Sequence, residues 1–190
     1  MNFQIKKVER KDIKLFIEIW HYSKNINGCI SNYCFGLYDE DQLIGAMFYG
    51  RLAMANQWKK YVVNEKDIIE LRRLCCIDNT PKNTESYFIG ATLRWLKKNT
   101  DIKKVISYVD SNYGHTGIIY KANNFSYKGL TSPGKIILLG NKKYYDKAIR
   151  TKYKGKLKPF AVNLKNQILL GNAKIIKQKR KYIYIYTLRT

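Results

Sequence analysis

With 190 residues and 45% hydrophobic side chains, the chain has the length of one domain, or of one with a small appendage, and enough apolar mass for a core, which excludes global disorder. No apolar run nears the roughly 18 residues of a membrane span, the start (Met1 to Arg10) lacks the apolar stretch of a secretory signal, and four cysteines are too few for a disulfide scaffold, so a cytoplasmic protein of a reducing compartment is expected. Lys plus Arg is 36 against 14 Asp plus Glu, a net of +22, and residues 111–190 hold 18 basic side chains with Asp146 as their single acid.

Lysine-rich composition alone would not strip acids from the last 80 residues, so this block points to a polyanionic partner bound in a salt-dependent way. Along the chain, the alternation over Phe3 to Val8 predicts a strand. Lys11 to Tyr22 has Ile13, Phe16, Ile17 and Trp20 at helical spacing, an amphipathic helix. Tyr33 to Tyr38 and Leu43 to Tyr49 flank a polar Asp39-Glu40-Asp41-Gln42 turn and predict a hairpin. Ile68 to Ile77 reads as a strand carrying Glu70, Arg72 and Arg73, with the two arginines on opposite faces and one paired to Glu70. Thr84 to Lys98 predicts a helix with Tyr87, Phe88, Ala91, Trp95 and Leu96 on one face and Lys97-Lys98 at its end.

Lys104 to Asp110 follows as a short buried strand, His115 to Asn124 as a short helix and Lys135 to Leu139 as a strand. Lys142 to Lys158 reads as basic and partly helical. Tyr182, Tyr184 and Tyr186 alternate with Ile183 and Ile185, a final strand whose tyrosine face is either structural or a stacking surface for bases beside Lys179, Arg180 and Lys181. This order predicts an α+β class with a mixed central sheet and helices on both faces. Residues 1–140 would form the main domain, and 141–190 a basic C-terminal extension ending in a strand.

Several local motifs, in order, carry a resemblance: His21-Tyr22-Ser23-Lys24, Phe35-Gly36-Leu37-Tyr38 with Leu43-Ile44-Gly45, Glu70-Leu71-Arg72-Arg73-Leu74, Pro81-Lys82-Asn83-Thr84-Glu85-Ser86, Ser107-Tyr108-Val109-Asp110, Gly114-His115-Thr116-Gly117, and Ile119-Tyr120-Lys121-Ala122-Asn123-Asn124-Phe125. Over about residues 20–132 the chain resembles the GNAT acyltransferase superfamily and, more closely, the Mom-type DNA modification proteins of phages and prophages. The resemblance implies a GNAT-like fold. It also implies transfer of a small acyl-derived group, of acetamido or glycinamide type, to the N6 amine of adenine in DNA, an adduct that hides phage DNA from restriction enzymes in the host cell. The donor it implies is acetyl-CoA or another acyl donor, and iron is a further implied cofactor. DNA with its adenine flipped out is the implied partner, no membrane is involved, and a homodimer is left open.

With that resemblance, Asp110, His21, Tyr22, Tyr120 and Ser107 become catalytic candidates, and His21, Tyr22 and Asp110 a candidate metal set of oxygen and imidazole donors. Asp110 would stand at the carboxyl end of a sheet strand, where ligands of open sheets gather. It would serve as general base toward the exocyclic amine or as metal ligand, with loop capping the alternative. Lys24, Arg72, Tyr108, His115, Asn123, Asn124, Lys179, Arg180 and Lys181 are the candidate DNA contacts. Arg72 would hold a phosphate or carboxylate, or form a structural ion pair. Asn123 and Asn124 would cap a helix or read an adenine edge. The cysteines, with Cys75 and Cys76 adjacent on a strand, do not make a zinc site.

Lys82, Asn83 and Ser86 are the candidate donor-binding residues. The superfamily holds pyrophosphate with a glycine-paired loop that this chain replaces by Asn79 to Ser86, so close backbone wrapping is not expected there, while the helix N-terminus can still receive an anion. Two other function classes remain in play: a GNAT N-acetyltransferase acting on a small-molecule or protein amine, and a nucleic-acid-binding protein without catalysis.

Overall fold

The computed structural model describes residues 3–54 and 56–189. In chain order its elements are β1 (Gln4–Val8), α1 (Arg10–Trp20), β2 (Tyr33–Asp39), β3 (Gln42–Gly50), β4 (Ile68–Cys76), α2 (Thr84–Asn99), β5 (Lys104–Val109), α3 (Ile118–Ala122), β6 (Ser126–Leu130), β7 (Lys135–Leu139), β8 (Lys142–Tyr145), β9 (Lys152–Tyr153), β10 (Lys156–Leu157), α4 (Pro159–Leu169), β11 (Ala173–Lys177) and β12 (Tyr182–Thr187). None of the helices among the described residues is long and apolar enough to cross a membrane. Two compact units emerge: a larger one from the residues up to Val109, His115–Gly129 and the chain from Tyr182 onward, and a smaller one from Asp110–Gly114 and Leu130–Lys181.

The larger unit is built on a seven-stranded sheet in the order β1-β2-β3-β4-β5-β12-β6. Its first four strands are antiparallel, β4 and β5 are parallel, and β12 runs antiparallel to β5. A parallel pair needs a crossover, and α2 supplies it. One face of the sheet packs Phe35, Leu37, Met47, Tyr49, Leu71 and Val105 with Phe88, Ile89, Leu93 and Leu96 of α2. The other packs Cys34, Ala46 and Phe48 with Ile13, Ile17 and Ile26. Each large apolar side chain so buried contributes about 2 kcal/mol relative to an exposed one.

Local chemistry sets these elements. At the start of α1 the backbone N–H of Glu9 donates to Asp12 at 2.8 Å, reciprocal capping that satisfies an orphan donor. The predicted apolar face of α1 holds at Ile13 and Ile17, both fully buried, whereas Trp20 is half-exposed. In α2 the buried face is Phe88, Ile89, Thr92, Leu93 and Leu96, turned from the predicted one so that Tyr87 points outward. A tyrosine keeps its hydroxyl wet at little cost, so the aliphatic residues win the interior. Arg10 ties down the segment after α1: its guanidinium donates to the carbonyls of Cys29 and, at 2.7 Å, Ile26. Gly50 lets that segment lie on β3, because a Cβ there would fall 1.8 Å from the Ile30 carbonyl oxygen.

The smaller unit has a three-stranded antiparallel sheet, β11-β7-β8, a two-stranded β9–β10 ribbon and α4. Its core is small: Ile137, Leu164 and Ala173, with Leu139, Tyr144, Ala148, Ile149 and Ile168 around them. The partly helical reading of Lys142 to Lys158 is corrected here. That stretch forms β8, a short 3-10 turn over Asp146–Arg150, β9 and β10, and the helix comes after it, begun by Pro159 at its first turn. β12 lies between β5 and β6 in the larger unit's sheet, so the chain's final strand is a sheet strand there.

Gly117 provides a direct stability test. Its φ is +83°, and a Cβ would sit 2.5 Å from the Tyr184 ring, whereas Gly114 has φ +77° with open space around it. Gly114→Ala should cost about 1 kcal/mol from left-handed backbone strain, and Gly117→Ala about 3 kcal/mol because a ring clash is added. Urea unfolding of both variants measures the difference, and equal losses would show that the Tyr184 ring is not fixed against Gly117.

Candidate active site

Strands β4 and β5 pair only from Ile68↔Lys104 to Glu70↔Ile106. Beyond that point Leu71–Cys76 pairs with β3 alone and Ser107–Val109 with β12 alone, so two parallel strands part at their carboxyl ends. The cause lies in the β3–β4 register. Phe48 faces Arg73 while Tyr49 faces Leu71, leaving Arg72 as an extra residue in a β-bulge. The bulge also resets the alternation of β4: Leu71, Leu74 and Cys76 all pack on the α2 side. Arg72 and Arg73 consequently both reach the segment after α1, Arg72 donating to Cys29 Sγ at 3.3 Å and Arg73 to the Asn25 carbonyl at 3.3 Å. The expected placement of the two arginines on opposite faces is thereby corrected.

On this face Glu70 is buried, and its Oε2 accepts from the Ala53 N–H at 3.0 Å and from Arg72 at 3.2 Å. The pairing to Glu70 anticipated from sequence therefore falls to Arg72, whose Nη1 also donates to the Arg51 carbonyl at 3.0 Å. Its Nε is buried without a hydrogen-bond partner, and the hydroxyl of Tyr108 is buried beside Tyr61. Burial first, then Tyr61, which also hydrogen-bonds it, and Glu70 push the Tyr108 phenol far above its usual range, against the opposing charge of Arg72, so it stays protonated.

The opposite face carries a second polar set. Ser107 is buried and its Oγ donates weakly, at 3.5 Å, to the carbonyl of Leu71, the first β4 residue beyond the pairing. Tyr120 is hydrogen-bonded with Ser107; burial raises its phenol above the usual value, the Ser107 bond opposes that, and Glu70 adds to it. The Tyr120 ring stacks on Tyr184 at 5.6 Å and 19°. Tyr184 in turn donates to the Thr116 carbonyl at 3.2 Å. The sequence offers Tyr184 only as one of the period-two tyrosines of β12 and Thr116 and Gly117 only as part of a motif; the register that sets Tyr184 opposite Ser107 comes from the structure.

His21 and Tyr22 follow α1. The His21 N–H closes the helix on Ile17 at 3.0 Å, and Nδ1 receives the backbone N–H of Ser23 at 3.0 Å. A backbone N–H only donates, so Nδ1 carries no proton and the neutral ring is protonated at Nε2. Burial first, then the charge of Arg73 and the proximity of His115, push its pKa down to about 3. At neutral pH His21 is thus a hydrogen-bond donor rather than a proton carrier. Its ring lies 4.1 Å from that of Tyr22, which lies 5.3 Å from exposed His115. The larger unit thereby brings His21, Tyr22 and His115 together as a stepped aromatic surface. Lys24, at φ +45°, is exposed just beyond.

The remaining candidates are spread more widely. Asp110, in the smaller unit, is buried and engaged on both oxygens: Oδ1 accepts from Asn112 N at 3.1 Å and Nδ2 at 2.7 Å, and Oδ2 meets Lys181 at 2.6 Å. Burial raises its pKa, but Lys181 and Asn112 outweigh this and hold it below the ordinary value. Arg180 donates to the Thr131 carbonyl at 2.7 Å, and the N–H of Lys179 to Asn112 Oδ1 at 3.0 Å. Asn123 donates to the Ile119 carbonyl at 2.8 Å and Asn124 adopts φ +59°, both closing α3. At the start of α2, Lys82 and Asn83 are exposed and Ser86 half-exposed, and Asn83 has φ +69°. The left-handed turn that a glycine would make is therefore made by asparagine, which tolerates it. Among the described residues no three His, Cys, Asp or Glu side chains converge as a metal ligand set, so the expected iron at His21, Tyr22 and Asp110 finds no support. Cys75 is pushed up to about 12 by burial, and burial raises Cys76 further, so both are unreactive thiols.

His21 gives the larger unit an acid sensitivity of known sign. Below its ordinary value of 6.5 the unfolded chain takes up the proton, and the folded ring does not until about 3. Its stabilising contribution is therefore whole above pH 6.5 and falls as pH drops toward 3, by about 2 kcal/mol at pH 5. His21→Asn keeps an acceptor for Ser23 and removes the titration. Urea unfolding at pH 7 and pH 5 should show a fall smaller by about that amount in the variant, and an identical fall in both proteins would contradict a buried neutral His21.

Comparison with known proteins agrees with this architecture. Arabidopsis thaliana NAA60, solved in complex with acetyl-CoA, superposes with a TM-score of 0.57 at 11% identity, with 98% of each chain covered. An N-acetyltransferase of Staphylococcus aureus Mu50 gives 0.53 at 11% identity over the whole of both chains. These likenesses establish the GNAT fold. The methylcarbamoylase Mom of Escherichia phage Mu is 27% identical over 120 residues, which span 61% of this chain and about half, 49%, of that relative. The Mom protein family matches residues 2–190, and the chain belongs to that family.

Proposed function

We propose that the protein is a DNA-modifying transferase that places a small acyl-derived group on the N6 amine of adenine. The carrying observation is the parting of β4 and β5 at the Arg72 bulge, with the buried Tyr108 hydroxyl and Arg72 Nε on one face and Ser107 with Tyr120 on the other. Open sheets bind ligands at such carboxyl ends. Family membership and the similarity to a methylcarbamoylase support a transferase.

The residues suggest a division of work. Tyr22 and His115 offer rings on which an extruded adenine can stack, and the Nε2–H of His21 a donor beside them. The Arg72 Nε–H and the Tyr108 hydroxyl would orient the transferred carbonyl. An acyl donor, when bound, would supply an activated carbonyl; Lys82, Asn83 and Ser86 at the N-terminus of α2 would receive its anionic end. Attack by N6 forms the new N–C bond, breaks the bond from the acyl carbon to its carrier, and releases a proton. The proton leaves to water or to a carboxylate, and Asp110, kept ionised by Lys181 within the smaller unit, is the candidate that the Asp110→Asn variant tests. The resulting adduct would hide the DNA from restriction enzymes.

Mass spectrometry of nucleosides digested from DNA of cells expressing the protein tests this reading. Wild type should yield an adenine species of increased mass, and Tyr120→Phe at least about tenfold less, the loss of one positioned donor. Asp110→Asn separates two roles, since asparagine still caps the Ser111–Tyr113 turn but accepts no proton. Loss of the adduct would assign proton acceptance, and full retention would assign capping. Unmodified nucleosides from soluble wild-type protein would overturn the proposal and favour an acetyltransferase acting on another amine.

A further inference from the structure

The smaller unit holds fifteen Lys and Arg residues against two acids, Asp110 and Asp146. Both acids are used internally, Asp110 with Lys181 and Asp146 with Arg150, each at 2.6 Å. Thirteen cations therefore have no acidic partner within the unit. They are not evenly arranged, because four of them lie within seven residues, at Lys152, Lys154, Lys156 and Lys158.

The segment that carries these lysines is a tight hairpin. Lys154 and Gly155 have φ of +46° and +79°, the two left-handed residues of a tight two-residue turn, between the pairs Tyr153↔Lys156 and Lys152↔Leu157. The Lys158 N–H donates to the Thr151 carbonyl at 2.9 Å and closes its base. Tyr153 is 65% exposed although a tyrosine ring gains by burial, and the Lys154 ammonium stands 5.6 Å from its centroid. Facing pairs share a side, so Lys156 stands beside Tyr153. Tyr153, Lys154, Lys156, Leu157, Lys158 and Pro159 line an open cleft of about 640 Å³.

We infer that this hairpin is a binding site for single-stranded or locally unpaired nucleic acid, with one base stacked on Tyr153 and the flanking phosphates held by Lys154, Lys156 and Lys158. A phosphate surface alone needs no exposed ring, whereas a ring between cations matches an unpaired nucleotide, whose base and phosphate are bound by different chemistry. The inference deepens the DNA-modification reading and rests on it for the choice of nucleic acid as partner.

Fluorescence anisotropy of the full chain with a labelled oligo-adenine strand, and with the same strand in duplex, tests the site. Wild type should prefer the single strand. Tyr153→Ala should weaken single-strand binding about tenfold, and Tyr153→Phe, which keeps the ring, should bind as wild type. Replacing Lys154, Lys156 and Lys158 together by Ala should lower the slope of log affinity against log salt by about 2. Thermal unfolding of each variant confirms folding. Equal single-strand affinity for wild type and Tyr153→Ala overturns the site, as does equally tight binding of polyglutamate, which would mark a surface for any polyanion. The two readings fail separately: an adenine adduct with no effect of Tyr153→Ala removes the hairpin site alone, and Tyr153-dependent binding without an adduct removes the modification alone.

Discussion

The extra residue at Arg72 governs the arrangement of the larger unit. Without it β4 would keep its alternation, and Arg72 and Arg73 would point to opposite faces. With it the β3–β4 ladder shifts register, β4 parts from β5 after Glu70, and the α2-side face resumes with Leu74 and Cys76. The parted strands expose backbone that a continuous sheet would pair, and Ser107 covers part of that gap through the Leu71 carbonyl. A bulge weakens a ladder, so its presence in a well-packed strand is best understood as a functional feature.

Around this opening, buried polar groups are arranged with unequal satisfaction. Glu70 is paired and hydrogen-bonded, and Thr92 and Tyr49 bond to each other at 2.7 Å inside the core. The Nε of Arg72 has no such partner. A buried unpaired donor costs about 1–3 kcal/mol, a penalty that a ligand accepting that hydrogen bond would recover as affinity. Tyr108, Tyr120 and His21 share a further property: burial shifts each toward its neutral form, so these three act as donors and rings and not as charges.

Much of the architecture is legible in the sequence because it follows from periodicity. The β2–β3 hairpin, helices α1 and α2, the α+β class and the alternating strand at Tyr182–Thr187 all show as patterns of two or 3.6. The bulge does not show, since one additional residue leaves the apolar count of β4 unchanged and alters only which neighbours share a face. For the same reason the joint reach of Arg72 and Arg73 toward Asn25 and Cys29 is invisible, as is the effect of Arg73 on His21. Helix α4 is masked because the exposed Phe160, Val162 and Leu169 blur the period of its buried Ala161 and Leu164. At the start of α2 the sequence suggests a lost glycine turn, yet Asn83 takes the left-handed conformation in its place.

The central claim is that the opening between β4 and β5 receives the adenine-bearing substrate. NMR of the protein labelled on its tyrosine rings, titrated with a short adenine-containing oligonucleotide and with an adenine-free one, tests it most directly. The account predicts that the Tyr108 and Tyr120 signals shift with the first and stay in place with the second. Signals from these two rings that are unmoved by adenine, or moved equally by both strands, would contradict it.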